Sequence, residues 1–234
     1  MKLYAVDADL QRRLISFASR LRLTSIASKF EGYSKAGLIV LSDGSPEDYV
    51  VAIIAQHLNG SSRAALVVKP QRTREASVDF IPRYTSLLAG SAEPLTMVFI
   101  LDQETWPLKE VFEAFHSRLK QLVDVEELVV KGRVAEFRGL RGGRSILVKL
   151  VVSGDDDAPY VKHTVKDYLF KAASILGLGD EATDALKRAE GDPKKAWKLF
   201  GRDRQAKVYL ELARRREAVE EALRARMEAL SELL

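Results

Sequence analysis

The stretch Leu95-Thr-Met-Val-Phe-Ile-Leu-Asp102-Gln-Glu104 constrains the fold more than any other. From Leu95 to Leu101 every residue is apolar or β-branched, with none of the alternation of a half-buried strand. Such a run is the signature of a strand covered on both faces, as in parallel sheets. It stops abruptly at two carboxylates, Asp102 and Glu104. A second stretch, Leu38-Ile-Val-Leu-Ser-Asp43-Gly44, has the same design. In open α/β sheets ligands bind beyond the carboxyl ends of the strands. If the two strands are neighbours, Asp43, Asp102 and Glu104 converge at one sheet edge and offer oxygen ligands to a cation.

The chain of 234 residues suffices for one large domain or a domain with an appendage; 47% of it is hydrophobic, as in globular proteins. A net charge of +4 permits a nucleic-acid partner without requiring one. Charged residues make up 30%, a balance common in thermophile proteins. Cysteine is absent, which removes disulfides and thiolate chemistry and disfavours a structural zinc site. The first residues lack the apolar core of a signal peptide, and no apolar run approaches the ~18 residues of a membrane span. The expected location is the cytoplasm, with no membrane partner.

Residues 7–23 read as an amphipathic helix, with Leu10, Leu14, Phe17 and Leu21 on one face and Asp7 or Asp9 as cap. After Asp43-Gly44, the run Ser45-Pro46-Glu47-Asp48 reads as a helix start, with Ser45 at the N-cap and Pro46 in the first helical position. That helix and a strand at Ala64–Val68 complete a parallel βαβ unit. Pro82 breaks any long helix between Ala76 and Ala89. Thr105 reads as the cap of the next helix, whose stripe is Leu108, Val111, Phe112, Phe115, Leu119 and Leu122.

From Glu127 the period becomes that of strands. Gly142-Gly143 between two such runs predicts a hairpin turn. Lys131, Arg133, Arg138, Arg141, Arg144 and Lys149 face only Glu136 within this hairpin, so Arg138, Arg141 and Arg144 are candidate phosphate contacts, with Lys69, Arg72 and Arg74 of an earlier loop. The same charges also suit an edge hairpin protected from aggregation. The remainder is helical, with Asp180 and Asp192-Pro193 as caps. A last helix from about Arg202 to Leu234 would be about 48 Å long at about 1.5 Å per residue. Its seam is expected to leave Leu223, Met227, Leu230 and Leu234 for a homodimer partner, unless the helix bends near Arg202 or Ala213 and folds back.

Magnesium or manganese takes hard oxygen ligands and commonly binds one or two carboxylates together with substrate phosphates. Acids at strand ends also serve as helix caps, but Ser45 and Thr105 fill that role on this reading, leaving Asp43 and Asp102 for a metal. The arrangement resembles the Toprim domain of topoisomerases, bacterial-type primases, recombination-repair proteins and overcoming-lysogenization-defect nucleases. Asp43-Gly44 stands where that family has Glu-Gly, and Asp102-Gln-Glu104 where it has Asp-x-Asp. Lys166-Asp-Tyr-Leu looks like the late Glu-Asp-x-Leu helix of small stand-alone members. Both acidic motifs keep their charge but change length by one methylene.

The resemblance covers roughly residues 37–172. It implies an α/β, Toprim-like (Rossmann-like), mostly parallel sheet over 37–175, preceded by a helix and linker (1–36) and followed by a helical extension (176–234). It further implies Asp43, Asp102 and Glu104 as catalytic and metal-binding residues of a magnesium- or manganese-dependent nuclease acting on DNA or RNA. The alternative is a catalytically inactive Toprim-like module that binds nucleic acid or a protein.

Overall fold

A computed structural model describes residues 1–30, 36–41, 46–58, 64–70 and 74–232, with the side chains of 74–76 set aside. Its centre is a sheet of strands β1 (Lys2–Ala5), β2 (Ala36–Leu41), β3 (Ala64–Val68), β4 (Leu95–Asp102), β5 (Asp124–Lys131), β6 (Val134–Arg141) and β7 (Arg144–Ser153). The spatial order is β1-β3-β2-β4-β7-β6-β5. The first five strands of that order are mutually parallel, and β6 and β5 are added antiparallel. The chain is therefore α/β with a mostly parallel sheet.

Burial follows the apolar runs. Every residue of β2 and β3 is buried, as is β4 apart from Thr96. Alternate residues of β4 feed different cores. Val98 and Ile100 face helices α1 (Ala8–Leu21), α2 (Glu47–His57), α5 (Val165–Ile175), α6 (Gly179–Arg188), α7 (Pro193–Phe200), α8 (Arg202–Arg214) and α9 (Arg216–Ser231). Met97, Phe99 and Leu101 face α3 (Ile81–Leu87) and α4 (Leu108–Leu119). Phe99 meets Phe115 of α4 edge-on, with ring centroids 5.2 Å apart. A strand with cores on both faces leaves its interior to apolar side chains, and the run stops at Asp102, the last residue of the strand.

Local signals explain most boundaries. Asp7 caps α1 by accepting from the N–H groups of Asp9 and Leu10. Pro82 sits in the first turn of α3, after a 3-10 helix over Arg74–Phe80, where its missing N–H does no harm. Gly142 and Gly143 have φ of 55° and 76°, as a two-residue hairpin turn of the I′ kind requires. Asp192 caps α7 through the N–H groups of Lys194 and Lys195.

Several expectations are corrected. Residues 1–36 are expected to hold a helix and linker, but Lys2–Ala5 form β1, which joins the sheet beside β3. Thr105 is not the cap of α4: that helix starts after Pro107 and has no side-chain cap bond. Pro46 is the N-cap residue of α2 rather than its first helical residue, and Ser45 lies outside the described residues. Asp180 lies inside the first turn of α6, whose N-cap is Leu178.

The long C-terminal helix is two helices, because Arg215 (φ −113°, ψ 98°) breaks it between α8 and α9. The break folds α9 onto the body, so Leu223, Met227 and Leu230 are buried in the molecule's own core. The seam was read correctly, but its partner is this chain's sheet and helices α2 and α5. Leu234 lies outside the described residues.

Candidate functional site at the carboxyl edge of the sheet

Strands β2 and β4 do lie side by side and parallel, with Leu41 opposite Ile100. The β2–α2–β3 connection and the β3–β4 connection lie on opposite faces of the sheet, because α2 packs in one core and Val78, Ile81 and Tyr84 in the other. The chain thus leaves β2 in one direction and returns on its other side. That reversal between β2 and β4 is where doubly wound sheets open a crevice. Asp102 ends β4 at this place; Asp43 lies outside the described residues.

Asp102 is only 2% exposed, and its Oδ1 accepts the N–H of Val165, the first residue of α5, at 2.9 Å. Register explains the bond. β4 and β7 pair from Leu95↔Ile146 through Asp102↔Ser153, so both strands end level and the helix following β7 starts over Asp102. The carboxylate caps neither of the helices next to it in sequence; it serves a helix about sixty residues later. Thr164 and Asp167 complete the cap: the Thr164 hydroxyl accepts from Lys166 N, and Asp167 accepts from Thr164 N at 3.2 Å.

Glu104 points elsewhere. It has a left-handed backbone, φ 58°, and its N–H and C=O pair with those of His163. Its side chain is ion-paired with Lys194 on α7. Gln103 between the two acids is buried and donates to Trp106 O and Asp156 Oδ1, while accepting from Arg133 at 2.7 Å. As placed, Asp102 caps α5 and Glu104 holds an ammonium group. Among the described residues no group of three or more His, Asp or Glu could hold a metal ion.

Other polar groups gather at this edge. Arg226 from α9 lies 3.0 Å from Glu47 at the start of α2, donates to the Ser153 hydroxyl and covers the Tyr168 ring at 4.7 Å. Asp48 is ion-paired with Arg13 at 3.0 Å. Burial raises the Asp48 carboxyl above its ordinary range, while the charges of Arg13 and half-buried Lys69 oppose the rise. Asp167 accepts from Asp155 N and from His163 Nδ1, each at 3.1 Å, and burial pushes its pKa up to about 6. Beside it a cleft of about 450 Å³ opens between the β7–α5 loop and α6, lined by Tyr160, Phe170, Lys171 and Leu186 among others.

Sequence reasoning missed Arg226, Glu47 and the His163–Asp167 pair. The i,i+4 spacing of His163 and Asp167 was a usable signal. Nothing in the sequence linked Arg226 to Glu47, because the pairing depends on the break at Arg215.

The basic hairpin carries more partners than its own sequence shows. Arg138 donates to Glu136 at 2.7 and 2.8 Å and lies 3.7 Å from Glu127. Arg144 donates to Glu93 at 3.1 Å and to the carbonyls of Ala89 and Ser91 at 3.2 Å. Arg141 donates to the Leu122 carbonyl. Buried Lys149 is paired with Glu136 at 3.0 Å and with Glu232. Arg72 and the Arg74 side chain lie outside the described residues.

No protein-family model matches the chain, nor does any curated protein or solved structure. No helix among the described residues is long and apolar enough to cross a membrane.

Proposed function

We propose that this chain is a Toprim-like (Rossmann-like) α/β module that does not cleave nucleic acid and works by binding a protein partner. One observation carries the reading: Asp102 caps α5 and Glu104 is held by Lys194, so both acids of the Asp102-Gln-Glu104 motif are engaged by the fold. The partners of Arg138, Arg141 and Arg144 support a protein over a nucleic acid, because arginines already held by carboxylates and carbonyls have less to offer a phosphate backbone. The test is incubation of the full chain with single- and double-stranded DNA and RNA in magnesium or manganese, with binding followed by fluorescence anisotropy. Neither cleavage nor salt-dependent binding is expected. Cleavage that disappears in Asp102→Asn would overturn the reading.

A second reading, a magnesium- or manganese-dependent phosphodiesterase of Toprim type, is favoured by the position of Asp102 at the strand reversal between β2 and β4. It requires Asp43 and a rearranged Glu104 to join Asp102. The same assay distinguishes it.

A further inference from the structure

We infer that strand β5 is the contact through which two copies of this chain pair, antiparallel about Val129, extending one sheet into the other. This concerns assembly and is independent of whether the chain cleaves nucleic acid. Among the described residues β5 is the last strand of the sheet and is bonded only to β6. Leu128, Val129 and Val130 are 42%, 37% and 49% exposed, on an edge with no proline. An irregularity and charges protect the start of this edge, but Leu128-Val129-Val130 remains an exposed, regular apolar stretch, and such a stretch is a template for another strand.

The sequence of the edge selects the occupant. Its irregularity lies between Val125 and Glu127, so the regular stretch is Glu127-Leu128-Val129-Val130-Lys131. Reversed on itself, this stretch is self-complementary. A twofold axis at Val129 sets Glu127 opposite Lys131 of the second copy at both ends, Leu128 opposite Val130, and Val129 against itself. Residues directly opposite across antiparallel strands share a face, so each pair of opposite charges meets on one side of the sheet. Shifting the register by one pair either way sets Glu127 or Lys131 against Val129 and loses both ion pairs.

The backbone has the same symmetry. Lys131 and Val134 flank a two-residue turn whose first residue, Gly132, has φ 55°. Residues flanking such a turn bond each other, and partners alternate along an antiparallel ladder. Lys131, Val129 and Glu127 therefore direct their backbone groups to β6, while Val130 and Leu128 direct theirs to the open edge. Those outward groups are the ones a twofold at Val129 brings together, Leu128 of one copy with Val130 of the other.

The test is the mass of the full chain by light scattering and its dissociation by analytical ultracentrifugation. The wild type should be a dimer. Lys131→Glu sets like charges at both ends and should raise the dissociation constant about tenfold or more. Adding Glu127→Lys restores opposite charges in the same register and should recover the dimer. Val130→Pro removes an outward N–H that β6 does not use, and should give a folded monomer. If Val130→Pro fails to fold, the exposed charge reversals decide alone. A monomeric wild type, or a dimer whose dissociation constant Lys131→Glu leaves unchanged, would overturn the inference.

Discussion

The guanidinium of Arg226 on α9 lies 3.0 Å from the carboxylate of Glu47 at the start of α2, and each side chain is 2% exposed. This pair links the last helix to the helix after the first core strand, directly over the carboxyl end of β7. Among the described residues the Arg226 Nε and Nη1 groups have no hydrogen-bond acceptor, so the pair carries desolvation cost along with its attraction.

Replacing one member of the pair should therefore cost far more than replacing both. Arg226→Ala removes the cation facing a buried carboxylate and is expected to lower stability by about 3–5 kcal/mol. Arg226→Met with Glu47→Leu fills similar volume without charge and should recover most of that loss. Urea unfolding of Arg226→Met, Glu47→Leu and the double variant measures the coupling. Additive losses would show that the pair contributes no mutual stabilisation.

Asp102 should behave as a structural residue. Asp102→Ala leaves the buried N–H of Val165 without its acceptor, an expected loss of about 1–3 kcal/mol. Asp102→Asn retains a carbonyl oxygen at the same place and should lose less than half as much. Equilibrium unfolding compares them. An alanine variant as stable as wild type would remove the capping role and return Asp102 to consideration as a free ligand.

Asp167 gives the fold a pH dependence of predictable sign. Its folded pKa, about 6, lies above the ordinary 3.8 because burial penalises the charged form more than Thr164, Asp155 and His163 stabilise it. Between these values the folded state binds more protons than the unfolded state, so this group's contribution to stability falls as pH rises from about 4 to about 6. The difference in melting temperature between wild type and Asp167→Asn should narrow or reverse in favour of the asparagine variant across that window. Parallel pH profiles would contradict it.

What the sequence disclosed tracks how local each cause is. The runs at Leu38–Leu41 and Leu95–Leu101 identify buried strands because burial on both faces leaves no other pattern available. The α4 stripe, the Gly142-Gly143 turn and the Asp7 and Asp192 caps were legible because partner and signal lie within a few residues. The capping role of Asp102 was not legible because its partner, Val165, is brought near by the register of β4 with β7. Arg144 looked free for the same reason, since Glu93 sits fifty-one positions away in the chain. Gly139 shows the limit from the other side. A Cβ there would meet the Asp124 carbonyl oxygen at 2.2 Å, so the glycine is required by the irregularity in β5, which its own neighbours do not reveal.

The C-terminal helix tests how far the core extends. A chain ending at Arg215 would lack α9 and with it the buried side chains of Val219, Leu223, Met227 and Leu230. Burial of each such side chain contributes about 1.5–3 kcal/mol, so together they approach the roughly 5–15 kcal/mol net stability of a typical domain. The truncation also removes Arg226 from the Tyr168 ring of α5 and from Glu47, changes of the same sign. The shortened chain should lose its cooperative urea transition and scatter light as an aggregate, although α9 reads in sequence as a charged helix with a single apolar seam. A monomeric shortened chain with a sharp transition near that of wild type would show that α9 is an accessory to the fold.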